Sequence, residues 1–175
     1  ADVVCAGSGI GMGEIARRHM ETVLLHGNCP CVIDADGLNI MSGDEELSGL
    51  LTEGRYVLTP HMKEMSRLTG RSVADIKNDR LKVLKDYAEK TGAVCVLKDS
   101  RTLIGKEGER TVLNPSGNSA MAKAGSGDIL AGISAGCLAQ ARGCFDGAVR
   151  GAYIHGRAGD RARGEKGNYS VMAED

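Results

Sequence analysis

The sequence predicts an α/β protein built on a mostly parallel central sheet flanked by helices on both faces, and three observations carry that prediction. Short apolar runs of the buried-strand kind alternate with helix-like stretches. Each run ends in a polar or glycine-rich cluster, and ligands on parallel sheets gather at such carboxyl ends. The 175 residues are 42% hydrophobic and 26% charged, a soluble globular profile with enough apolar residues for the core of one domain.

The chain opens on Ala1-Asp-Val-Val-Cys-Ala6, a buried-strand pattern running straight into Gly7-Ser-Gly-Ile-Gly11. There is no initiator Met, and these first residues belong inside a sheet. Residues 1–175 are therefore expected to form a partial domain whose upstream portion is missing and whose sheet keeps an unpaired edge. A helical stretch follows around residues 14–26. Cys31-Val-Ile-Asp-Ala-Asp36 reads as a second strand ending in two carboxylates, followed by Gly37-Leu-Asn39. Tyr56-Val-Leu58 is a third strand that ends in Thr59-Pro-His61 and passes into a short helix over 63–68. Ser72, with Asp75 three residues on, starts a long helix reaching residue 90, with Ile76, Leu81, Leu84 and Ala88 on its apolar face.

Ala93-Val-Cys-Val-Leu97 is a fourth strand. Thr102-Leu-Ile-Gly and Arg110-Thr-Val-Leu, joined by the charged turn Lys106-Glu-Gly-Glu109, predict a β-hairpin. A helix begins after Gly125, another covers about 145–163, and residues 163–175 read as a mobile tail or edge segment. No apolar stretch reaches the roughly 20 residues that a membrane span needs.

Charge and composition narrow the partners. Twenty-two basic and 23 acidic residues give a net charge of -1 with no sustained basic block, and aromatics are 3% with no Trp and one Phe. This speaks against nucleic acid and membrane partners and leaves a small molecule. The six cysteines, Cys5, Cys29, Cys31, Cys95, Cys137 and Cys144, lie mostly in apolar segments and read as reduced core thiols of a cytoplasmic protein. Cys29-Pro-Cys31 is too close a pair for a zinc knuckle and has no second pair to complete one.

The most informative stretch is Asn114-Pro-Ser-Gly-Asn-Ser-Ala-Met-Ala-Lys-Ala-Gly-Ser-Gly-Asp128, followed by the apolar Ile129-Leu-Ala-Gly-Ile-Ser-Ala-Gly136. Gly125, Ser126 and Gly127 leave backbone N–H groups uncovered, and the first helical turn adds unpaired donors and a positive dipole end, so a phosphate fits there. Asp128 then stands where a carboxylate orients an attacking hydroxyl or takes its proton. The same four residues are also compatible with a plain loop whose aspartate serves as helix N-cap.

Taken in order, five of these clusters resemble the ADP/ATP-dependent NAD(P)H-hydrate dehydratase family, a branch of the ribokinase-like fold. They are the opening strand with Gly7 to Gly11, Val32-Ile-Asp-Ala-Asp-Gly-Leu-Asn39, Leu58-Thr-Pro-His-Met-Lys-Glu-Met-Ser-Arg-Leu68, Val96-Leu-Lys-Asp-Ser-Arg-Thr102 and the Asn114 to Gly136 run. The resemblance implies a reaction in which a nucleotide phosphorylates the ring hydroxyl of hydrated NADH or NADPH and elimination of phosphate restores the dinucleotide.

It also implies roles. Asp128 engages the hydroxyl as the catalytic group, with Gly11, His61 and Asn39 beside the hydrate. Lys98, Asp99, Ser100, Arg101 and Thr102 match the nucleotide-contacting turn, and Gly125, Ser126 and Gly127 receive the phosphates. Glu64 corresponds to an acidic residue acting on Mg2+ through water, and Asp34 and Asp36 lie in a segment near the substrate. ADP is favoured over ATP as donor, and a homotetramer is implied. Two departures stand out: Asp99-Ser-Arg101 replaces small residues, and Met62-Lys63 replaces Pro-Gly. Competing readings are a ribokinase-like small-molecule kinase of the thiazole or hydroxymethylpyrimidine type, and a non-catalytic nucleotide-binding fragment.

Overall fold

A computed structural model describes residues 1–51 and 54–175. Six strands form one sheet in the order β1 (Val4–Ala6), β2 (Cys31–Ile33), β3 (Tyr56–Leu58), β4 (Val94–Leu97), β5 (Thr102–Gly105) and β6 (Val112–Asn114). The first four are parallel, and the last two add as an antiparallel hairpin, as the sequence predicts.

Because each parallel strand is added beside its predecessor in one direction, right-handed crossovers carry every connecting helix to the same face. That face holds α1 (Glu14–His26), α2 (Asp36–Ser42), α3 (Glu45–Ser48), α4 (Met62–Thr69), α5 (Val73–Asn78) and α6 (Arg80–Thr91). The opposite face is closed by the two helices after the hairpin, α7 (Ser126–Leu138) and α8 (Cys144–Lys166). The period of two along the strands sorts the core accordingly. Cys31, Ile33, Tyr56, Leu58, Cys95 and Leu97 point to the first layer, and Val32, Val57, Val94, Val96 and Ile104 point to the second. All of these are at most 2% exposed.

Several expectations need correction. The second strand stops at Ile33 instead of running to Asp36, and Asp36 begins α2: Ala35 takes φ 51°, turning the chain out of the sheet and into the helix. The predicted long helix is two. Asp79, with φ -144°, ends α5 and accepts the Lys82 N–H through its side chain at 3.1 Å, thereby capping α6. This break turns Leu81 outward to 46% exposure, while Val83, Leu84, Tyr87 and Ala88 are buried.

Residues 168–175 are not an edge segment. They fold back beside α8, where Val171 is buried and Asp175 pairs with Lys166. Among the thiols, Cys31, Cys95 and Cys144 are buried, Cys29 and Cys137 are half-buried, and Cys5 is exposed. Burial pushes the Cys31 thiol up to about 12, so it stays protonated and inert.

Candidate active site

The carboxyl ends of β1 to β4 converge through main-chain contacts before any side chain is considered. Asp34 N–H donates to the Ala6 carbonyl at 3.1 Å, Thr59 N–H to Ile33 at 3.1 Å and Lys98 N–H to Pro60 at 2.8 Å. His61 and Lys98 form a parallel bridge that prolongs the β3–β4 pairing. Gly7 is required here: at φ 117°, a Cβ would lie 2.0 Å from the Asp34 carbonyl oxygen. Without that close approach the Gly7 turn and the start of α2 could not share one corner.

At the centre, Lys98 Nζ lies 2.7 Å from Asp34 Oδ1 and 3.9 Å from Glu64 Oε2, with both carboxylates nearly buried. Glu64 is also part of a reciprocal cap on α4: His61 N–H donates to Oε2 at 2.8 Å, and His61 Nδ1 accepts from Glu64 N–H at 3.0 Å. The sequence offers this cap because Glu64 stands at the third helical position. His61 keeps its ring half exposed at the cleft. Removing one member of a buried ion pair costs about 3–5 kcal/mol, so Asp34 and Lys98 are structurally committed to each other.

The glycine loop arrives from the other layer. Gly125, at φ 86°, is the N-cap of α7 and provides no side-chain cap, so the first-turn N–H groups of the helix are not covered from its N-cap. Asp128 sits in the third helical position and is exposed, which removes the reading of it as an N-cap. A Cβ on Gly127 would stand 3.4 Å from Asp34 Oδ2 and 3.7 Å from Lys98 Nζ, so the helix start approaches the ion pair with room for no more than that one carbon. Although Cys5 is exposed as a residue, desolvation of its thiol foremost, and then the Asp34 and Asp128 carboxylates, raise its pKa. Behind the loop, Ala173 fills the space where a Gly125 side chain would go.

The remaining predicted residues divide. Gly11 is exposed and tied to the start of α2, its N–H donating to Asp36 Oδ2 at 2.9 Å, at φ 78°. Asn39 is oriented by Arg67, which donates to its Oδ1 at 2.6 Å. In the 98–102 turn only Lys98 points to the centre. Asp99 pairs with Arg80 at 2.7 Å, Arg80 also reaches the Arg101 carbonyl at 3.1 Å, and Ser100 and Arg101 are exposed. Thr102 donates back to the Asp99 carbonyl at 3.3 Å, holding the turn.

One pairing and one residue have no sign in the local sequence. Asp34 is expected near the substrate, but its pairing with Lys98 spans 64 positions. His155, in mid-helix on α8, lies against the Ser126 backbone and near Lys98; burial lowers its pKa. Nothing in its sequence neighbourhood marks it. Among the described residues, no three His, Cys, Asp or Glu side chains gather as a metal-ligand set.

A sequentially ordered parallel sheet with an antiparallel hairpin, and a glycine-capped helix start near a partly buried lysine, define a ribokinase-like protein. More narrowly, the chain belongs to the NAD(P)H-hydrate dehydratase family, whose family model matches residues 1–175. The bifunctional NAD(P)H-hydrate repair enzyme of Moorella thermoacetica is 41% identical over 175 residues, covering 99% of this chain and 33% of that protein. The ADP-dependent (S)-NAD(P)H-hydrate dehydratase of Neisseria meningitidis serogroup B is 40% identical over 156 residues, covering 88% of this chain and 53% of that protein. The structure of ADP/ATP-dependent NAD(P)H-hydrate dehydratase from Bacillus subtilis, co-crystallised with ATP and Mg2+, superposes with a TM-score of 0.85 at 28% identity, covering 98% of this chain and 60% of that one. The chain thus spans from a third to about half the length of these curated relatives.

Proposed function

We propose that this chain carries the nucleotide-dependent dehydration of (S)-NAD(P)H-hydrate to NAD(P)H. The observation that supports the reading is the approach of the α7 start to the Lys98–Asp34 pair, where a Cβ on Gly127 would stand 3.4 Å from Asp34 Oδ2 and 3.7 Å from Lys98 Nζ, so that an anion-accepting helix start and a cation meet one residue before Asp128. Gly125, Ser126 and Gly127 receive the donor's phosphates through backbone N–H groups, and Lys98 offsets their charge. Asp128 takes the proton of the hydrate's ring hydroxyl as its oxygen attacks the terminal phosphorus and the bond to the nucleotide breaks. The phosphate ester then leaves as inorganic phosphate with its C–O bond pair, a proton is lost, and the ring double bond is restored. Gly11, His61 and Asn39 line the side where the hydrate binds. Thr102 and the backbone of Asp99, Ser100 and Arg101 form the outer turn of the nucleotide site.

The fold family implies Mg2+. Glu64 is engaged by the His61 N–H and lies near Lys98. This donor set fits an ion brought in on the nucleotide phosphates, with Glu64 reaching it only through water. When bound, the ion would neutralise phosphate charge. ADP as donor and assembly as a homotetramer follow from the family resemblance, a cytoplasmic location follows from the cysteine usage, and together they complete the proposal.

Incubating the protein with chemically hydrated NADH and ADP or ATP tests it. The expected result is recovery of NADH absorbance with an equal amount of phosphate released. A phosphorylated product that accumulates without NADH would establish the small-molecule kinase reading instead, and nucleotide binding without turnover would leave a binding protein.

A further inference from the structure

Asp34 ends β2 with its side chain 3% exposed and its Oδ1 2.7 Å from Lys98 Nζ. A carboxylate this deep needs a partner, and the lysine is that partner. Glu64 adds a weaker second hold at 3.9 Å, since its Oε2 already accepts the His61 N–H. The other Asp34 oxygen faces the first turn of α7, where a Gly127 Cβ would be 3.4 Å from Oδ2 and 3.7 Å from Nζ. The ion pair is thus wedged between a strand end and the turn that leads into Asp128. Lysine ordinarily carries its charge on a mobile four-carbon stem. Here the ammonium is confined, and with one of its three donors given to Asp34, others remain for an anion at the helix start.

We propose that Asp34 is a positioning residue for phosphoryl transfer, holding the Lys98 ammonium against the Gly127 turn so that the cation meets the transferring phosphoryl group in one place. Asp34 acts through Lys98 and does not touch the substrate. A fixed cation counts most where charge develops in the transition state, while the carboxylate behind it offsets part of the attraction for phosphate in the ground state. Loss of Asp34 should therefore cost turnover more than affinity. The inference rests on the proposed dehydration for its reaction, but its binding half needs only ADP.

The test is a double-mutant cycle of Asp34→Asn and Lys98→Met, reading ADP affinity by titration and turnover on hydrated NADH. Asp34→Asn is expected to lower kcat at least tenfold with the ADP Kd changed less than threefold. Lys98→Met, which leaves the Asp34 carboxylate unpaired beside the incoming phosphate, should lower kcat as far and weaken ADP at least tenfold. The double variant should be no slower than Lys98→Met and should regain at least threefold in ADP affinity.

Losses in the double variant that multiply those of the singles would overturn the inference, as would an ADP Kd that rises in step with the kcat loss of Asp34→Asn. If Asp34→Asn does not fold, the double variant, which strands neither charge, decides through its Kd against Lys98→Met; failure of both to fold makes Asp34 purely structural and also overturns it. A wild type that binds ADP without restoring NADH removes the proposed dehydration, while the Kd values still decide the Asp34–Lys98 coupling.

Discussion

On the α1–α6 face, the sheet presents Tyr56, Leu58, Cys95 and Leu97 to Met20, Leu38, Met65 and Leu84; on the other, it presents Val32, Val57, Val94 and Val96 to Leu130, Ala131, Ala148 and Ala152. Large side chains fill a thick layer on the first face. Small ones on the second let two helices lie close to the strands and to each other. Gly151 of α8 leaves no room between the helices: a Cβ there would sit 2.7 Å from Ser134 Oγ and 2.8 Å from Ser134 Cα on α7. The thin layer brings the α7 start within reach of Asp34 and Lys98, so one face stores stability and the other sets the position of the turn proposed to accept phosphate.

The comparison predicts that a substitution on the thin face disturbs the site, whereas one deep in the thick layer costs stability alone. Asp128→Asn, on α7, should reduce turnover by about 10²–10⁴-fold while ADP affinity changes little, measured by kcat and by titration. Unchanged turnover would remove Asp128 from the reaction. Leu84→Ala, in the thick layer, should destabilise the fold by about 2–5 kcal/mol in denaturant unfolding, yet the folded fraction should bind ADP as the wild type does. Gly151→Ala should cost about 1–3 kcal/mol and, unlike Leu84→Ala, should also weaken ADP binding because it pushes α7 away from Lys98. Equal ADP affinity in these two variants would erase the distinction between the faces.

The smallest effect concerns acid. Asp160 on α8 accepts from the Asn118 side chain and from Gly117 N–H, and these bonds, the Asn118 one foremost, hold its pKa below the ordinary 3.8. A depressed carboxylate contributes stability above its unfolded value and loses it as pH falls through the folded one. Melting temperature followed from pH 6 downward should therefore drop less steeply at its acid end in Asp160→Asn than in the wild type. An identical acid slope would mean that the 114–121 loop does not draw on this residue.

Legibility followed locality. The parallel strands, the hairpin, the Ser72 cap and the α7 start could be read because each depends on a few adjacent residues whose pattern has a direct physical cause. The α5–α6 break also had a local sign, the consecutive cap-forming Asn78 and Asp79, but the apolar spacing across it suggested continuity. Asp36 entering a helix was hidden because the turn depends on Ala35 taking a left-handed φ, which its sequence does not advertise. The site's strand-end clusters are visible in the sequence, whereas the Asp34–Lys98 pair arises from strand ends brought together by the sheet order, and the approach of His155 from a helix layer docking on the sheet. The outward pairing of Asp99 with Arg80 likewise depends on α6 starting where it does.

The strands stand side by side in the order in which the ribosome makes them, so the sheet can grow at one margin as synthesis proceeds. The glycine turn that opens α7 is translated after β1 to β6 are complete. A nascent chain stopped before α7 would present bare valines and lack that turn, so if nucleotide binds as proposed its occupancy becomes a late certificate that the second layer has docked, and ligand in the cell would preferentially hold finished molecules.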